Sequence, residues 1–235
     1  MPFANGESLV FELSWLGIVG GTAELRVEAP AEHEGTLAYR ITSRARSNDF
    51  FSKIYPVDDQ IESLVEARSF RSLRYEKHLS EGGKRREELV RFDPVRNVAS
   101  EKGTETPTPA QVLDALAALY WVRGAELVVG KSLQVPVHAN RRNYQLTIDV
   151  LAREKLRTAF GERMAWKLEP RQQYEGVFAK KGRLWVWLSD DAGRLPLLMK
   201  STLTIGSIAA RLVEYTLTAP GPALDPRTAA TPAGD

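Results

Sequence analysis

The sequence predicts a mainly β protein: an antiparallel open barrel or strongly curved sheet with one covering α-helix at about 110–123. Three observations carry this expectation. Short runs of alternating apolar and polar residues recur along most of the chain, separated by Gly-, Pro- and Asp-rich turns. One stretch alone has clear helical spacing. The block from Gly182 to Tyr215 sets two strands, the first rich in tryptophan, around an acidic turn, and a third strand follows Gly206-Ser207.

The elements follow in order. Leu9, Phe11, Leu13 and Trp15 alternate with Val10, Glu12 and Ser14. Gly17, Gly20 and Gly21 bend the chain, and Ala23, Leu25 and Val27 then alternate with Glu24, Arg26 and Glu28. This is a hairpin with one core face and one wet face. Leu37, Tyr39 and Ile41 make a third strand. The stretch 48–56, with Phe50, Phe51, Ile54 and Tyr55, is less regular and fits a short turn or helix. Strands resume at about 60–65 and 72–79. Ser80-Glu81-Gly82-Gly83-Lys84 is a hairpin turn, its partner strand runs 87–92, and Asp93-Pro94 closes it.

The helix opens on Thr108-Pro109-Ala110-Gln111: Thr as N-cap, Pro at the first helical position and Gln three after the cap. Val112, Leu113, Leu116, Leu119, Tyr120 and Arg123 follow at helical spacing, and Gly124 is a natural C-cap. That is about four turns at ~3.6 residues each. Further strands are expected at 132–137, 144–151, 164–168, 184–188, 196–203 and 208–217. One β-rich domain over 1–218 accounts for this order, and two small lobes split near 97–108 are the alternative. The tail 219–235, rich in Pro, Ala and Gly, is expected to be disordered.

Composition narrows the function. The 235 residues are 43% hydrophobic, enough for a sizeable core. Lys plus Arg is 32 against 30 Asp plus Glu, a net charge of +2, which gives no global field for nucleic acid. There is no cysteine, so disulfides, thiolate catalysis and cysteine-ligated metals are excluded. The N-terminus has no basic segment leading into an apolar one, and no run is long enough for a transmembrane helix. Either the protein is cytoplasmic or a leader peptide has been removed ahead of Met1.

Catalytic signatures are missing. His33, His78 and His138 stand alone, without ligand spacing. There is no nucleophile elbow, and Gly82-Gly83-Lys84 lacks the rest of a phosphate loop. No cofactor motif is present. Asp58-Asp59 and Asp190-Asp191 are carboxylate pairs, but neighbours in a strand point to opposite faces, and Asp190-Asp191-Ala192-Gly193 has turn chemistry. The basic runs Lys84-Arg85-Arg86, Arg141-Arg142 and Lys180-Lys181 fall at turns. They are read as scattered, solvated hairpin ends, although clustering on one rim would let them hold anionic groups. Trp185 and Trp187 share one strand face, with Leu184, Val186 and Leu188 on the other. A strand apolar on both faces must cover both, with core, ligand or partner.

These segments resemble the bacterial domain of unknown function 3108. The resemblance rests on GESLVFELSWLGIVGG at the start and on Gln111-Val112-Leu113-Asp114-Ala115-Leu116 leading to Tyr120 and Arg123. It rests also on LWVWLSDD with Arg194, Pro196 and Gly206 downstream. It covers the chain to about Thr218; Trp121-Val122 departs from the pattern. It implies a barrel-like antiparallel fold, a signal peptide and a place in the periplasm or cell envelope. It implies no activity or catalytic set. The expected function is a non-enzymatic envelope protein that binds a lipid, glycan or other amphipathic ligand. Trp15, Tyr39, Trp185 and Trp187 are its candidate lining, and Arg123 or Arg194 its anion partner. The alternatives are an envelope scaffold or assembly factor that binds a protein partner, and a glycan hydrolase using Asp58, Asp59, Asp190 or Asp191.

Overall fold

The computed structural model describes residues 3–172, 182–202 and 206–217. β1 (Ser8–Trp15) and β2 (Ile18–Val27) form the first hairpin, β3 (Ala31–His33) is a short spur, and β4 (Thr36–Ser47) follows. After the short helix α1 (Asp49–Ser52) come β5 (Asp58–Glu66), β6 (Ser72–Glu81), β7 (Lys84–Asp93), β8 (Val98–Glu101) and β9 (Thr104–Pro107). Helix α2 (Ala115–Arg123) precedes β10 (Ser132–Ala139), β11 (Arg142–Thr158) and β12 (Gly161–Gln172). β13 (Leu184–Ser189), β14 (Pro196–Thr202) and β15 (Ser207–Thr216) complete the chain order.

The strands make one antiparallel sheet in the order β10-β11-β12-β13-β14-β15-β1-β2-β4-β5-β6-β7-β8-β9, with β3 paired to β4 off this path. The halves before and after α2 join where β15 pairs β1, as in Leu9↔Tyr215 and Ser14↔Ala209. Residues opposite one another share a face, so the alternation in each strand adds up to a continuous apolar interior. Leu9 opposite Leu25, Val27 opposite Ile41, and Leu168 opposite Val186 are all buried. Register shifts such as those at Leu13/Ser14, Val150/Ala152 and Trp187/Leu188 add local bend and twist, which curve the sheet around its contents.

The barrel stays open between β9 and β10, and side chains span the seam. Asn143 Nδ2 donates to the Pro107 carbonyl (2.6 Å), Arg141 pairs with Glu101 (3.2 Å), and His138 meets the Phe92 ring edge-on. The segment ahead of α2 also covers the β10 edge. Leu113 N–H donates to Pro136 O (3.0 Å), His138 N–H donates to Leu113 O (2.8 Å), and Ser72 N–H donates to Val112 O (3.2 Å).

That segment corrects the helix boundary. The helix begins at Ala115, with Asp114 as N-cap, and not at the Thr108-Pro109 start signal. Val112 and Leu113, counted toward its apolar stripe, are buried ahead of the helix and bonded to the sheet. The local signature is sound chemistry, but helix from 110 onward would forfeit the bonds to Ser72, Pro136 and His138. Gly124 does cap the C-terminus. The stretch 48–56 contains α1, whose N-cap Asn48 accepts the Phe51 N–H (2.9 Å). The stretch near 97–108, considered as a split between lobes, holds the β8–β9 hairpin, in register with β7. The tail 219–235 lies outside the described residues.

Candidate functional site

Helix α2 lies inside the curved sheet and is fixed at both ends by buried polar groups. At its start, Asp114 Oδ1 accepts the N–H groups of Leu116 and Ala117 (2.9 Å each). Its Oδ2 accepts the hydroxyls of Ser63 and Ser72 (2.6 Å each), and its own N–H donates to Ser72 Oγ (2.8 Å). Burial pushes the Asp114 carboxyl above its usual pKa, and the four hydrogen bonds that the carboxylate accepts pull the other way. At the far end, Arg123 donates from both terminal nitrogens to the two Glu7 oxygens (2.7 Å each) and to the Gly193 carbonyl (2.9 Å). Both partners of this ion pair are fully buried, and the guanidinium sits 5.0 Å from the centre of the Tyr120 ring.

Between these anchors the helix is packed on one side and faces a hollow on the other. Leu116, Ala117 and Tyr120 sit in the core. Ala115, Ala118, Leu119 and Val122, at i, i+3, i+4 and i+7, border a cavity of ≈ 680 Å³. Leu146, Ile148, Leu168 and Val186 belong to its strand walls. Two small alanines on this helical face leave room that larger side chains would fill. The cavity size falls in the ~300–1,000 Å³ range of small-molecule sites. Its polar border comes from Ser201 and, at its mouth, from the outward-facing Glu169, Arg171 and Arg183, at or near the ends of β12, β13 and β14. Arg183 grips Glu169 through two hydrogen bonds of 2.6 Å, which hold that carboxyl below its ordinary pKa against the opposing effect of burial. Arg171 pairs with Asp149.

The residues expected to form the site are distributed over several places. Leu184 and Val186 line the hollow, so the alternate positions Trp185 and Trp187 stand on the opposite face of β13. Trp187 donates its indole N–H to Glu154 (2.8 Å) beneath Lys167, and Trp185 lies under Arg183, 4.8 Å from its ring centre. Arg183 therefore joins Trp185 and Glu169 on the outer face, at the mouth of the hollow. Tyr39 packs edge-on against Phe3. Trp15 ends β1 at the end of the sheet that also carries Arg183 and Ser201, partly exposed and outside the lining of the hollow. Arg123 and Arg194 do come together: with Asp190 and Asp191 they border a polar surface cleft of ≈ 560 Å³ at the end of α2. Arg194 stacks on Trp166 at 5.2 Å, and Arg153 lies 5.6 Å from the same ring.

The carboxylates considered for hydrolysis hold local structure. Asp190 accepts from Trp166 Nε1 and Arg153 Nε (2.6 Å each); burial pushes its pKa up, but these bonds outweigh it and hold the group below the usual range. Asp191 Oδ1 accepts from Ser189 Oγ and the N–H groups of Gly193 and Arg194, which closes the β13–β14 turn. Asp58 pairs with Arg46 (3.1 Å). Asp59 accepts the Ser80 N–H (2.9 Å), and burial raises its pKa. His33, His78 and His138 lie on β3, β6 and β10, and among the described residues no His/Cys/Asp/Glu group could hold a metal. No helix among them is long and apolar enough to cross a membrane.

Sequence reasoning missed Glu7, Ser63 and Ser72 as anchors, because their partners lie far away in the chain; Asp114 did carry a local N-cap signal, which Thr108-Pro109 masked. The cavity side of α2 did carry a signal, the alanines within its apolar stripe, which periodicity alone reads as packing.

A helix held inside an open antiparallel barrel, beside a largely apolar hollow, defines a β-barrel-like protein. The chain belongs to the family described as protein of unknown function DUF3108, whose model matches residues 10–213. Its structure is similar to that of a β-barrel-like protein of domain of unknown function DUF1849 from Brucella abortus. The TM-score is 0.61 at 12% sequence identity, covering 92% of this chain and 99% of that one. This likeness is one of fold. A DUF1089 family protein from Pseudomonas aeruginosa matches at a TM-score of 0.42 and 12% identity, over 78% of this chain and 90% of that one. No curated protein matches the sequence.

Proposed function

We propose that this is a non-enzymatic cell-envelope protein that binds an amphipathic ligand, a lipid foremost, in the hollow beside α2. The observation that carries this reading is the ≈ 680 Å³ cavity with apolar walls on the helix and strands and with charged groups at strand ends. Apolar walls supply affinity through surface removed from water, and a few polar groups set orientation. An anionic or hydroxylated head would meet Ser201 and, at the mouth of the hollow, the Arg171–Asp149 and Arg183–Glu169 pairs. A lipid satisfies both halves of the site. A glycan would leave the apolar walls without a partner. The hydrolase alternative is less well supported, because each of its carboxylates is engaged in local structure.

The test is native mass spectrometry and lipid extraction of the purified protein, with titration of a fluorescent fatty acid. Binding is expected in the wild type and is expected to be lost in Ala118→Trp, which fills the hollow from the helix side. A protein that carries no lipid and takes up no probe, or an Ala118→Trp variant that binds as before, overturns the reading.

A further inference from the structure

One end of the sheet exposes a group of large apolar side chains that the cavity does not use. The β1–β2 turn presents Leu16 (57% exposed) and Ile18 (60%), and the loop holding α1 presents Phe50 (65%) and Ile54 (70%), with Tyr55 and Trp15 partly exposed beside them. These loops form one surface. Asn48 bonds to the carbonyls of Gly20 (2.8 Å) and Val19 (3.1 Å), joining the α1 loop to β2. Leu16 N–H donates to Ser207 O (3.0 Å) on one side, and Gly82 N–H donates to Pro56 O (2.8 Å) on the other. The Tyr55 ring lies on Gly82, where a Cβ would fall 2.5 Å from its Cε2.

The same rim is basic. Antiparallel pairing places the β6–β7, β8–β9 and β10–β11 turns at this end. They carry Lys84, Arg85 and Arg86; Lys102; and Arg141 and Arg142. Residues of these turns meet across one charged cleft of ≈ 610 Å³, so two basic runs read from sequence as scattered converge here. Lys53 adds to them within the α1 loop; Asp49 and Glu81 are acidic residues among the tips, and Glu87 and Glu88 also border the cleft. Carboxylates at and just behind the tips pair with some of these cations, Glu81 with Arg86 (3.1 Å) and Glu101 with Arg141 (3.2 Å), so Lys53, Lys84, Arg85 and Lys102 carry the attraction. Arg141 itself sits at φ 60, a left-handed conformation that favours glycine or asparagine, in the two-residue turn Asn140-Arg141.

Aliphatic and aromatic tips flanked by Lys and Arg match the interface of an anionic bilayer. The apolar groups enter the headgroup boundary, and the nearby cations are drawn to the surface potential. We infer that this rim docks the protein on an anionic lipid membrane. The strand ends carrying Arg171, Arg183 and Ser201 lie at this end of the sheet, so docking would bring the hollow beside α2 to the bilayer. The inference deepens the lipid-binding reading but stands on different residues.

The experiment is flotation with vesicles of phosphatidylethanolamine and phosphatidylglycerol, alongside neutral phosphatidylcholine vesicles. Wild type is expected to float with the anionic vesicles, less with the neutral ones, and less as salt rises. Phe50→Ser/Ile54→Ser and, separately, Lys84→Glu/Arg85→Glu are each expected to cut binding at least about tenfold, the equivalent of ~1.4 kcal/mol, while circular dichroism and melting stay unchanged. Ala118→Trp is expected to float like wild type, which separates docking from cavity binding. Wild type that stays with the soluble fraction overturns the inference. So do variants that bind normally, and so does a wild-type dimer that Phe50→Ser/Ile54→Ser converts to monomer, since the rim would then be an interface between copies.

Discussion

Arg123 and Glu7 face each other fully buried, joined by two 2.7 Å hydrogen bonds across 116 residues of sequence. The pair ties the last turn of α2 to the chain just ahead of β1. Removing one partner leaves the other charge buried without its counterion. Glu7→Gln or Arg123→Met should each cost roughly 3–5 kcal/mol in urea unfolding. The double variant should lose less than the sum of the singles, which a double-mutant cycle measures.

Asp114 anchors the other end, and two kinds of substitution separate its roles. Asp114→Ala removes a helix cap and strands the Ser63 and Ser72 hydroxyls, for an expected loss of roughly 2–4 kcal/mol. Asp114→Asn keeps an acceptor for the helix N–H groups and should lose less. Burial raises the folded pKa of Asp114 above 3.8, so the folded state holds its proton more tightly than the unfolded one. Wild-type stability relative to Asp114→Asn should therefore be greatest below pH 3.8 and fall as pH rises through the folded pKa. Urea midpoints across that window check the sign.

Glu169 should behave in the opposite sense. Arg183 holds its pKa below the ordinary 4.5, so its contribution is present above that value and lost as pH falls through the lower, folded pKa. Arg183→Met should abolish this acid-side contribution, seen as a flatter dependence of the melting temperature below pH 4.5. The same variant should weaken uptake of an anionic amphiphile more than that of an uncharged one.

The seam between β9 and β10 should open before the rest of the sheet, because side chains join it where a backbone ladder does not. Asn143→Ala removes the bond to Pro107 O. Amide hydrogen exchange in 104–107 and 132–139 should then quicken by about tenfold, with β1 and β2 unchanged.

The sheet was legible because strand alternation is local. Leu9, Phe11 and Leu13, or Leu184, Val186 and Leu188, declare a two-residue period whatever lies across from them. The turns at Gly82-Gly83 and Asp190–Gly193 were legible for the same reason, through backbone demands met within a few residues. Sequence alternation also separated Trp185 and Trp187 from Leu184 and Val186, but it could not say which face meets the helix. The structure sets the leucine–valine face toward the hollow and the tryptophans away from it.

The helix shows where local reading ends. Thr108-Pro109 is a good start signal, yet Asp114 begins the helix, because Ser63 and Ser72, 51 and 42 residues away, complete its cap. Arg123 invited a role in binding anions, and its partner is Glu7. The hollow beside Ala118 and Leu119, and the meeting of Lys84-Arg85-Arg86 with Arg141, likewise depend on the antiparallel order. By itself the sequence determined a mainly antiparallel β chain with one covering helix and without cysteine chemistry, since periodicity and composition are properties of neighbouring residues. Tertiary structure alone decided the anchors, the cavity and the basic rim. Each arises from groups far apart in the chain, brought together only when the sheet curves.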